Sequence, residues 1–388
     1  MITVCAQSQL VEGGRQHLRA NVAALVPDMQ VRALALDVDG AFPGDDIERL
    51  RNCGALTAPL PCNLGGLGLG TESDGALALA DVLRLIGCGS QSVGRLYEAH
   101  VNVVRLLARY GSAAQLHGVA ALALSGQMFG LWVTDAPDAP AHLVDTGVLH
   151  GAKAPCSGAG YLTHALITAR MSDGGTRMAM VGPVPAANAD RSGWGVQGMR
   201  AACNGRVVLE GIPVSMLIGA DGDYLRQPDF SAGAWRGSAV ALGGLETLVA
   251  KMRAALVARE RAADPHQRAR IGESLIALET ARMWVWRAAL LGESEGGDAA
   301  DIANTVNLAR IAVENAGLDI LRLAQRSLGL AAFRAGTLIE LLLRDLATYL
   351  RQPAPDITLD EAAAHFTTHD LPPLADWARA MKGAFLPA

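Results

Sequence analysis

Two stretches in the middle third of the chain carry the residues best suited to chemistry. The first runs from Phe129 to Asp135 and ends an apolar segment with Thr134 and an acid. The second runs from Lys153 to Gly160 and leads from a lysine into a turn of small residues. Each pattern predicts a β-strand that brings hydroxyls and free backbone N–H groups to one edge of a sheet. Such an edge suits a flat cofactor ring with many hydrogen-bonding atoms, although paired strands of this kind also occur in ordinary cores.

The composition is that of a folded globular protein. Of the 388 residues, 51% are hydrophobic and 18% are charged, and the net charge is -5. These values argue against disorder and against a basic surface for nucleic acid. We find no secretory signal at the start, no apolar run long enough to span a bilayer, and no metal-ligand spacing among the six cysteines. We therefore expect a cytoplasmic protein with reduced thiols, no membrane span and no nucleic-acid partner.

The hydrophobic pattern divides the chain into three regions. Residues 1–119 have apolar positions at helical spacing, residues 120–222 contain short alternating runs between turn residues, and residues 223–388 return to helical spacing. We predict an N-terminal α-helical domain, a middle β-domain and a C-terminal domain with four long helices typical of a bundle. These four helices are predicted at about Gly233 to Arg261, His266 to Leu291, Asp301 to Gln325 and Ala335 to Arg351.

Three local predictions depend on single residues or short runs. The first amphipathic helix, from Val11, is expected to end at Pro27, because proline removes a helical hydrogen bond. The run from Arg206 to Val214 is predicted as one strand. Near the end of the chain, Trp377 to Met381 is a possible short helix.

Several motifs resemble those of the acyl-CoA dehydrogenase family. Trp132-Val-Thr134-Asp135 resembles its strand-end Thr-Glu element, and the segment from Gly151 to Gly160 resembles its Gly-x-Lys-x-x-Ile-Thr/Ser turn. Further similarities are Gly40-x-Phe42-Pro43, the glycine-rich loop from Pro61 to Gly70, Gly198-Met-Arg200, Gln325-x-x-x-Gly329 and Leu343-Arg344-Asp345. The resemblance implies an α+β fold with an N-terminal α-helical domain, a middle β-barrel or sandwich domain and a C-terminal four-helix bundle. We expect Arg344 and Asp345 to form a structural ion pair.

The same resemblance implies an FAD site. In the family, the two middle segments hold the flavin ring, and Ser157 falls where a hydroxyl faces that ring. The cofactor residues implied here are Trp132, Val133, Thr134, Pro155, Cys156 and Ser157. Gln325 and Gly329 resemble an element that reaches the cofactor across a dimer interface, which implies a homodimer or homotetramer. Cys156 is equally explained as a small apolar filler, and Gly329 as a helix stop.

The catalytic base of the family's dehydrogenases is missing from both of its known places. The position that corresponds to the usual glutamate is about Pro353, and no acid occurs between Asp229 and Glu246. Glu98 and His100, on a helix otherwise lined with apolar residues, are the remaining candidates, although either is also explained as a polar group satisfied at a domain interface. Helical spacing places Glu98 and His100 on different faces, so a dyad is not expected. Arg236, in the second empty region, is a candidate for contacting the substrate.

Three functions are compatible with these observations. The first is an FAD-dependent oxidoreductase that acts on an acyl thioester or related substrate with a CH–CH donor and passes electrons to an acceptor. The second is a two-component flavin monooxygenase that receives reduced flavin from a reductase partner, with His100 near the oxygen site. The third is a non-catalytic homologue that binds flavin or acyl groups, which the missing carboxylates would allow.

Overall fold

A computed structural model describes residues 2–39 and 41–371. In this part of the chain, helices precede and follow a central group of strands, which confirms the predicted α+β class. The helices are α1 (Ile2–Asp39), α2 (Gly44–Asn52), α3 (Ala76–Gly89), α4 (Gln91–Tyr110), α5 (Ala113–Leu124), α6 (Asp229–Ala232), α7 (Ala234–Ala258), α8 (Pro265–Gly292), α9 (Ala299–Leu328), α10 (Leu338–Tyr349) and α11 (Pro355–Thr368). The possible helix from Trp377 to Met381 lies outside the described residues.

The strands form a closed sheet and a small separate one. The strands are β1 (Phe129–Trp132), β2 (His142–Leu143), β3 (Val148–His150), β4 (Ala152–Cys156), β5 (His164–Arg170), β6 (Thr176–Val181), β7 (Ala189–Asp190), β8 (Gly205–Val208) and β9 (Ile212–Ile218). The larger sheet has the order β1-β5-β2-β3-β9-β6, and β6 pairs again with β5, so the strands close into a small barrel. The smaller sheet has the order β4-β8-β7.

One predicted strand proves to be two. The run from Arg206 to Val214 is divided between β8 and β9, which belong to different sheets. Between them the chain turns at Gly211, whose φ of +74° lies in the left-handed region that favours glycine. Apolar residues occur on both sides of the turn, so the pattern alone did not reveal the change of sheet.

Helix α1 also departs from the prediction, because it continues through Pro27 to Asp39. The proline removes one backbone hydrogen bond from the helix. Val22 and Met29, on either side of it, are completely buried, and Met29 packs against Gly89 at the end of α3. The apolar contact with α3 therefore offsets the lost hydrogen bond, which is a tertiary effect that local propensity does not contain.

The C-terminal helices pack as a bundle in which α7 is central. Helix α7 contacts α3, α4, α8, α9 and α10. Asp264 and Asp298 cap α8 and α9 by accepting hydrogen bonds from backbone N–H groups of the first turn. Helices α3 and α7 approach closely at Gly87 and Gly243, where each backbone lies against the other. No helix within residues 2–39 and 41–371 is long and apolar enough to cross a membrane.

Gly243 is expected to be intolerant of any side chain. An alanine Cβ at this position would lie 1.9 Å from the backbone oxygen of Arg84. We expect Gly243→Ala to lower the free energy of unfolding by about 3 kcal/mol, because backbone atoms of α3 must move apart. The control is Gly272→Ala on α8, where nothing lies within 4 Å and helix propensity should add up to about 1 kcal/mol. Equal stabilities of the two variants in urea titrations would contradict this account.

Candidate active site

The ammonium group of Lys153 holds three strands together at one end of the β-region. Its Nζ donates hydrogen bonds to the Val133 carbonyl at 3.1 Å, to Asp135 Oδ1 at 2.6 Å and to Thr168 Oγ1 at 3.0 Å. The lysine side chain is 1% exposed, whereas that of Asp135 is 43% exposed. Burial lowers the pKa of Lys153, and the Asp135 carboxylate opposes that change. The ends of β1 and β4 are thereby fixed beside β5.

The turn that follows β4 is fixed to β1 and to the chain before β8. The indole Nε1 of Trp132 donates to the Ser157 carbonyl at 2.9 Å, and the Ser157 hydroxyl donates to Asn204 Oδ1 at 2.8 Å. The backbone N–H groups of Gly158 and Ala159 donate to carbonyls of residues 202 and 203. Trp132 and Ser157 are both buried, so they support the edge from behind.

Two of the predicted cofactor residues remain exposed at this edge, and they are neighbours. Thr134 and Pro155 are exposed. They lie close together because the N–H of Ala154, the residue before Pro155, donates to the Thr134 carbonyl at 3.0 Å. Val133 is half-buried, and its carbonyl is already engaged by Lys153. The edge thus presents one hydroxyl and one flat ring in front of a rigid support.

Cys156 lies within this turn but does not face the edge. The thiol side chain is completely buried. In the antiparallel pairing of β4 with β8, Cys156 lies opposite Gly205. Burial raises the pKa of Cys156 to about 12, so the sulfur stays protonated and unreactive at neutral pH. This placement favours the interpretation of Cys156 as a small apolar filler.

His100 is sealed in the core between α4 and β1. Its Nδ1 accepts a hydrogen bond from the Phe129 N–H at 3.2 Å, so Nε2 carries the proton and donates to the Leu56 carbonyl at 2.8 Å. The imidazole is 0% exposed and stacks on the Phe129 ring. Burial lowers the pKa of His100 to about 4. Neither ring nitrogen is free to exchange a proton with a bound molecule.

Glu98 points the other way, toward α7 and α10. One carboxylate oxygen, Oε1, accepts a hydrogen bond from Arg95, and Oε2 accepts one from the Tyr349 hydroxyl at 3.1 Å. Tyr224 lies within electrostatic range of both charges. The Arg95 side chain is 28% exposed and that of Glu98 is 10% exposed, so the cluster is open at the arginine end. Glu98 and His100 therefore occupy opposite sides of α4, as helical spacing predicts.

Arg236 is placed deeper and is held by its neighbours. Its guanidinium forms an ion pair with Glu293 and donates to Asn102 Oδ1 at 2.6 Å. Glu293 also accepts hydrogen bonds from Arg105 and from the Trp235 indole. The Arg236 side chain is 2% exposed, so the arrangement favours a structural role for this arginine over direct contact with a substrate. Its Nε is the one guanidinium atom with no partner among the described residues.

Gln325 and Gly329 lie at the far end of α9. Gln325 lines a cavity of about 750 Å³ together with Phe333 and Arg344. Gly329 ends α9 with φ +59° and ψ −138°, and a Cβ there would meet no atom within 4 Å. The backbone conformation alone explains this glycine, because other residues rarely adopt it.

The expected ion pair between Arg344 and Asp345 is not formed. Arg344 instead binds Glu340, Asp37 and the Gln197 carbonyl. Asp345 points away from these partners and accepts a hydrogen bond from the Met199 N–H at 2.6 Å. Burial raises the pKa of Asp345 to about 7. Adjacent residues on a helix point about 100° apart, which explains why the two charges bind different partners.

The sequence did not single out Asn204, Tyr349 or Gly237, which the structure brings to these clusters. Tyr349 lies one helical turn before Pro353 and one turn after Asp345, and this spacing was the available signal. Asn204 and Gly237 carried no local signal, because their partners are distant in the chain. Within the described ranges, no group of three or more His, Cys, Asp or Glu side chains is arranged to bind a metal ion.

No family model matches the chain, and no curated protein matches it significantly. Solved structures do match over nearly the whole length. KijD3, in complex with FMN and dTDP-3-amino-2,3,6-trideoxy-4-keto-3-methyl-D-glucose, has a TM-score of 0.78 at 23% identity, covering 94% of this chain and 97% of that chain. TdsC from Paenibacillus sp. A11-2, with FMN and indole, has a TM-score of 0.79 at 19% identity, covering 92% and 98%.

A glutaryl-coenzyme A dehydrogenase in complex with glutaryl-CoA is similar to the same extent, with a TM-score of 0.78 at 20% identity over 92% of this chain and 95% of that chain. Two of these matching structures, KijD3 and TdsC, contain FMN. The chain has the acyl-CoA dehydrogenase fold, as the sequence motifs predicted.

The Lys153 cluster is expected to contribute strongly to stability. Replacement by methionine preserves the length of the buried stem but removes three hydrogen bonds. We expect Lys153→Met to lower the free energy of unfolding by about 3 kcal/mol, because hydrogen bonds from charged donors are stronger than neutral ones. Lys251→Met, at an exposed position on α7, is the matched control and should change stability by less than about 0.5 kcal/mol. A loss no larger in the first variant than in the second would refute the role of Lys153.

The sealed environment of His100 predicts a dependence of stability on pH. The folded state keeps the ring neutral down to about pH 4, whereas the unfolded chain takes up a proton near its ordinary pKa of 6.5. The contribution of His100 to the free energy of unfolding is fully present above pH 6.5 and is lost as the pH falls toward 4. The loss is about 2.5 kcal/mol at pH 4.5. The stability difference between wild type and His100→Gln should shrink accordingly. His117→Gln, at an exposed position, is the matched control. A stability difference for His100→Gln that does not change with pH would contradict the assignment.

Proposed function

We propose that the chain is a flavin-dependent oxidoreductase that holds its flavin against the ends of β1 and β4. The observation that carries the proposal is the exposed, rigidly supported edge at Thr134 and Pro155, in a fold shared with structures that contain FMN or that belong to an acyl-CoA dehydrogenase. The Thr134 hydroxyl and the Pro155 ring offer a hydrogen-bonding group beside a flat surface. Both are requirements of an isoalloxazine ring, so the residues present fit this group.

We propose FAD as the flavin. Gln325 lines a cavity of about 750 Å³ with Phe333 and Arg344, which together offer an amide, an aromatic ring and a cation. These groups suit an adenine nucleotide, and the corresponding element of the resembled family reaches the cofactor from a second subunit. The proposal therefore includes a homodimer or homotetramer. KijD3 and TdsC were solved with FMN, which makes the identity of the flavin a separate test.

The reaction that this geometry supports best is oxidation of an acyl thioester or a related carbonyl substrate. Such a reaction needs a carboxylate that can take a proton from the substrate. Glu98, whose side chain is 10% exposed beside Arg95, is the candidate that the sequence offers. His100, which the oxygenation hypothesis used, has both ring nitrogens engaged in the core. When bound, a flavin would supply an acceptor for a hydride. The chain would supply the binding edge, the proton acceptor and the exclusion of water, and a separate electron acceptor would reoxidise the enzyme.

A second candidate is a two-component monooxygenase that receives reduced flavin from a reductase partner. Two observations favour it. Pro353 occupies the place of the usual catalytic glutamate, and the similar structures include a nitrososynthase from Micromonospora carbonacea var. africana and the dibenzothiophene monooxygenase TdsC. The third hypothesis, a non-catalytic flavin-binding or acyl-binding homologue, is left with no specific support.

We expect the purified protein to carry a flavin or to bind added FAD, and anaerobic addition of its thioester substrate to bleach the oxidised flavin band. Thr134→Val should weaken flavin affinity about 5-fold, because one hydrogen bond is lost while shape is preserved. Thr146→Val, at an exposed position in a different loop, is the control. Visible spectroscopy and flavin titration check both expectations, and mass spectrometry of the released cofactor separates FAD from FMN.

The opposite results are informative. A flavin band that survives a panel of short, branched, aromatic and dicarboxylic acyl-CoA thioesters would contradict the dehydrogenase proposal. Oxygen-dependent conversion of an amino-sugar nucleotide or an aromatic heterocycle with reduced flavin would then establish the second candidate. Failure to bind any flavin would refute the proposal as a whole.

A further inference from the structure

We infer that a cavity between the turn after β4 and the segment after β7 is a binding site for a nucleotide, an aromatic ring that carries phosphate. The cavity has a volume of about 580 Å³, which is within the range of small-molecule sites. The lining residues that carry the argument are Tyr161, Arg191, Trp194, Arg200 and Asn204. The inference goes beyond the proposed function, which gives this cavity no role.

The cavity carries two positive charges. Arg191 and Arg200 both line it, and no Asp or Glu is present among the described lining residues. The Arg200 side chain is 44% exposed, and its one ion pair within the described part of the chain is a 4.0 Å contact with Asp37. Arg344 holds that same carboxylate at 2.6 Å. The guanidinium of Arg200 therefore remains available, and a cleft with one sign of charge attracts ligands of the opposite sign.

Arg191 is held in place by an aromatic ring and a backbone carbonyl. Its guanidinium carbon lies 4.7 Å from the centre of the Tyr161 ring, and Nη1 donates a hydrogen bond to the Ala159 carbonyl at 3.3 Å. The carboxylate of the preceding Asp190 accepts hydrogen bonds from the N–H and the hydroxyl of Ser192 instead. The remaining N–H groups of Arg191 can bind phosphate oxygens in the forked geometry that suits them.

Two aromatic side chains add a flat surface to the cavity. Tyr161 is 42% exposed, and its ring stacks on Phe42 with centroids 4.5 Å apart and an angle of 8° between the planes. Trp194 is half-buried, and its indole Nε1 donates to the Gly198 carbonyl at 3.4 Å. An exposed ring that is supported by another ring is a surface on which a heterocyclic base can stack. Stacking surface and guanidinium groups together match the two parts of a nucleotide.

The walls of the cavity are fixed by contacts outside it. Gly198 lies against α10, where a Cβ would be 2.3 Å from a backbone oxygen of that helix, and the Met199 N–H donates to Asp345 at 2.6 Å. On the other wall, Asn204 Oδ1 accepts a hydrogen bond from the Ser157 hydroxyl at 2.8 Å. A ligand therefore meets groups that are already positioned, which lowers the entropic cost of binding.

Two molecules with this chemistry would reach the proposed enzyme. One is the phosphate-bearing part of its flavin, and the other is the nucleotide part of a CoA thioester. The hydrogen bond between Asn204 and Ser157 joins the cavity wall to the turn that follows Pro155, so the cavity lies next to the proposed flavin edge. The choice between the two molecules, unlike the site itself, rests on the proposed function.

Calorimetric titration of the purified protein with ADP, adenosine and inorganic pyrophosphate tests the site. We expect ADP to bind more tightly than adenosine, and Arg191→Gln and Arg200→Gln each to weaken ADP and pyrophosphate about 10-fold. Arg191 does not line the cavity at Gln325, so its variant reports on this site alone. The control is Arg287→Gln on α8, which removes a guanidinium 5.7 Å from the Trp284 ring, outside the cavity, and should leave both affinities unchanged.

A second pair of variants separates the ring from the charges. Tyr161→Leu should weaken ADP about 10-fold and pyrophosphate less, because the base loses its stacking surface. Tyr161→Phe preserves the ring and should bind ADP like the wild type. Retention of the wild-type Tm in each variant shows that the loss of binding is local.

Repeating the ADP titration on protein saturated with FMN identifies the source of the nucleotide. Loss of ADP binding supports the site and assigns it to the flavin phosphate. Unchanged ADP binding also supports the site and assigns it to the nucleotide part of the substrate.

The inference and the proposed function fail in different ways. If ADP binds no more tightly than adenosine, or if Arg191→Gln binds ADP as tightly as Arg287→Gln does, the nucleotide site is refuted whether or not the protein binds flavin. If ADP binds as expected but no flavin binds, the proposed function is refuted and the nucleotide site stands.

Discussion

The buried ammonium of Lys153 is the constraint on which the candidate site depends. Removing a charged group from water costs several kcal/mol, and the cost is recovered only when all of its donors find acceptors in good geometry. Here the acceptors are the Val133 carbonyl and Asp135, just after β1, and Thr168 on β5, so the lysine on β4 joins three segments of the β-region. The lysine is therefore satisfied in one arrangement of these segments only. The exposed edge at Thr134 is rigid because the residues on both sides of it, Val133 and Asp135, are bound by Lys153.

A second charged network connects the helical parts of the molecule. Arg105 of α4 and Arg236 of α7 share the carboxylate of Glu293, which follows α8. Each of these ions would be costly alone, and truncation of any one would leave the others uncompensated. The ion pairs with Glu293 can form only when α4 and α7 are correctly placed, so charge pairing as well as apolar packing fixes the two helices relative to each other. The Glu98 cluster lies beside this fixed crossing, so its geometry is determined by residues outside it.

The order of the helices and strands could be predicted from the sequence, because periodicity and turn residues act locally. Trp132 and Ser157, which the motifs singled out, are brought together by a hydrogen bond between the indole and the Ser157 carbonyl, and their part in binding a cofactor stays a prediction. The limits came from long-range contacts. Pro27 continues a helix because Met29 packs on a distant glycine, and the run before Val214 changes sheet at Gly211.

The partners of single polar side chains were the part of the site that the sequence predicted least well. His100 and Glu98 differ by two positions, yet His100 is sealed against Phe129 and Glu98 binds Arg95 and Tyr349. Helical spacing separated their faces but could not say which face would meet which neighbour. That answer depends on α10, about 250 residues further along the chain. The two faces of α4 are consequently separate targets for evolution. Substitution at Arg95 or Glu98 changes the contact with α10, whereas the face that contains His100 preserves the packing on β1.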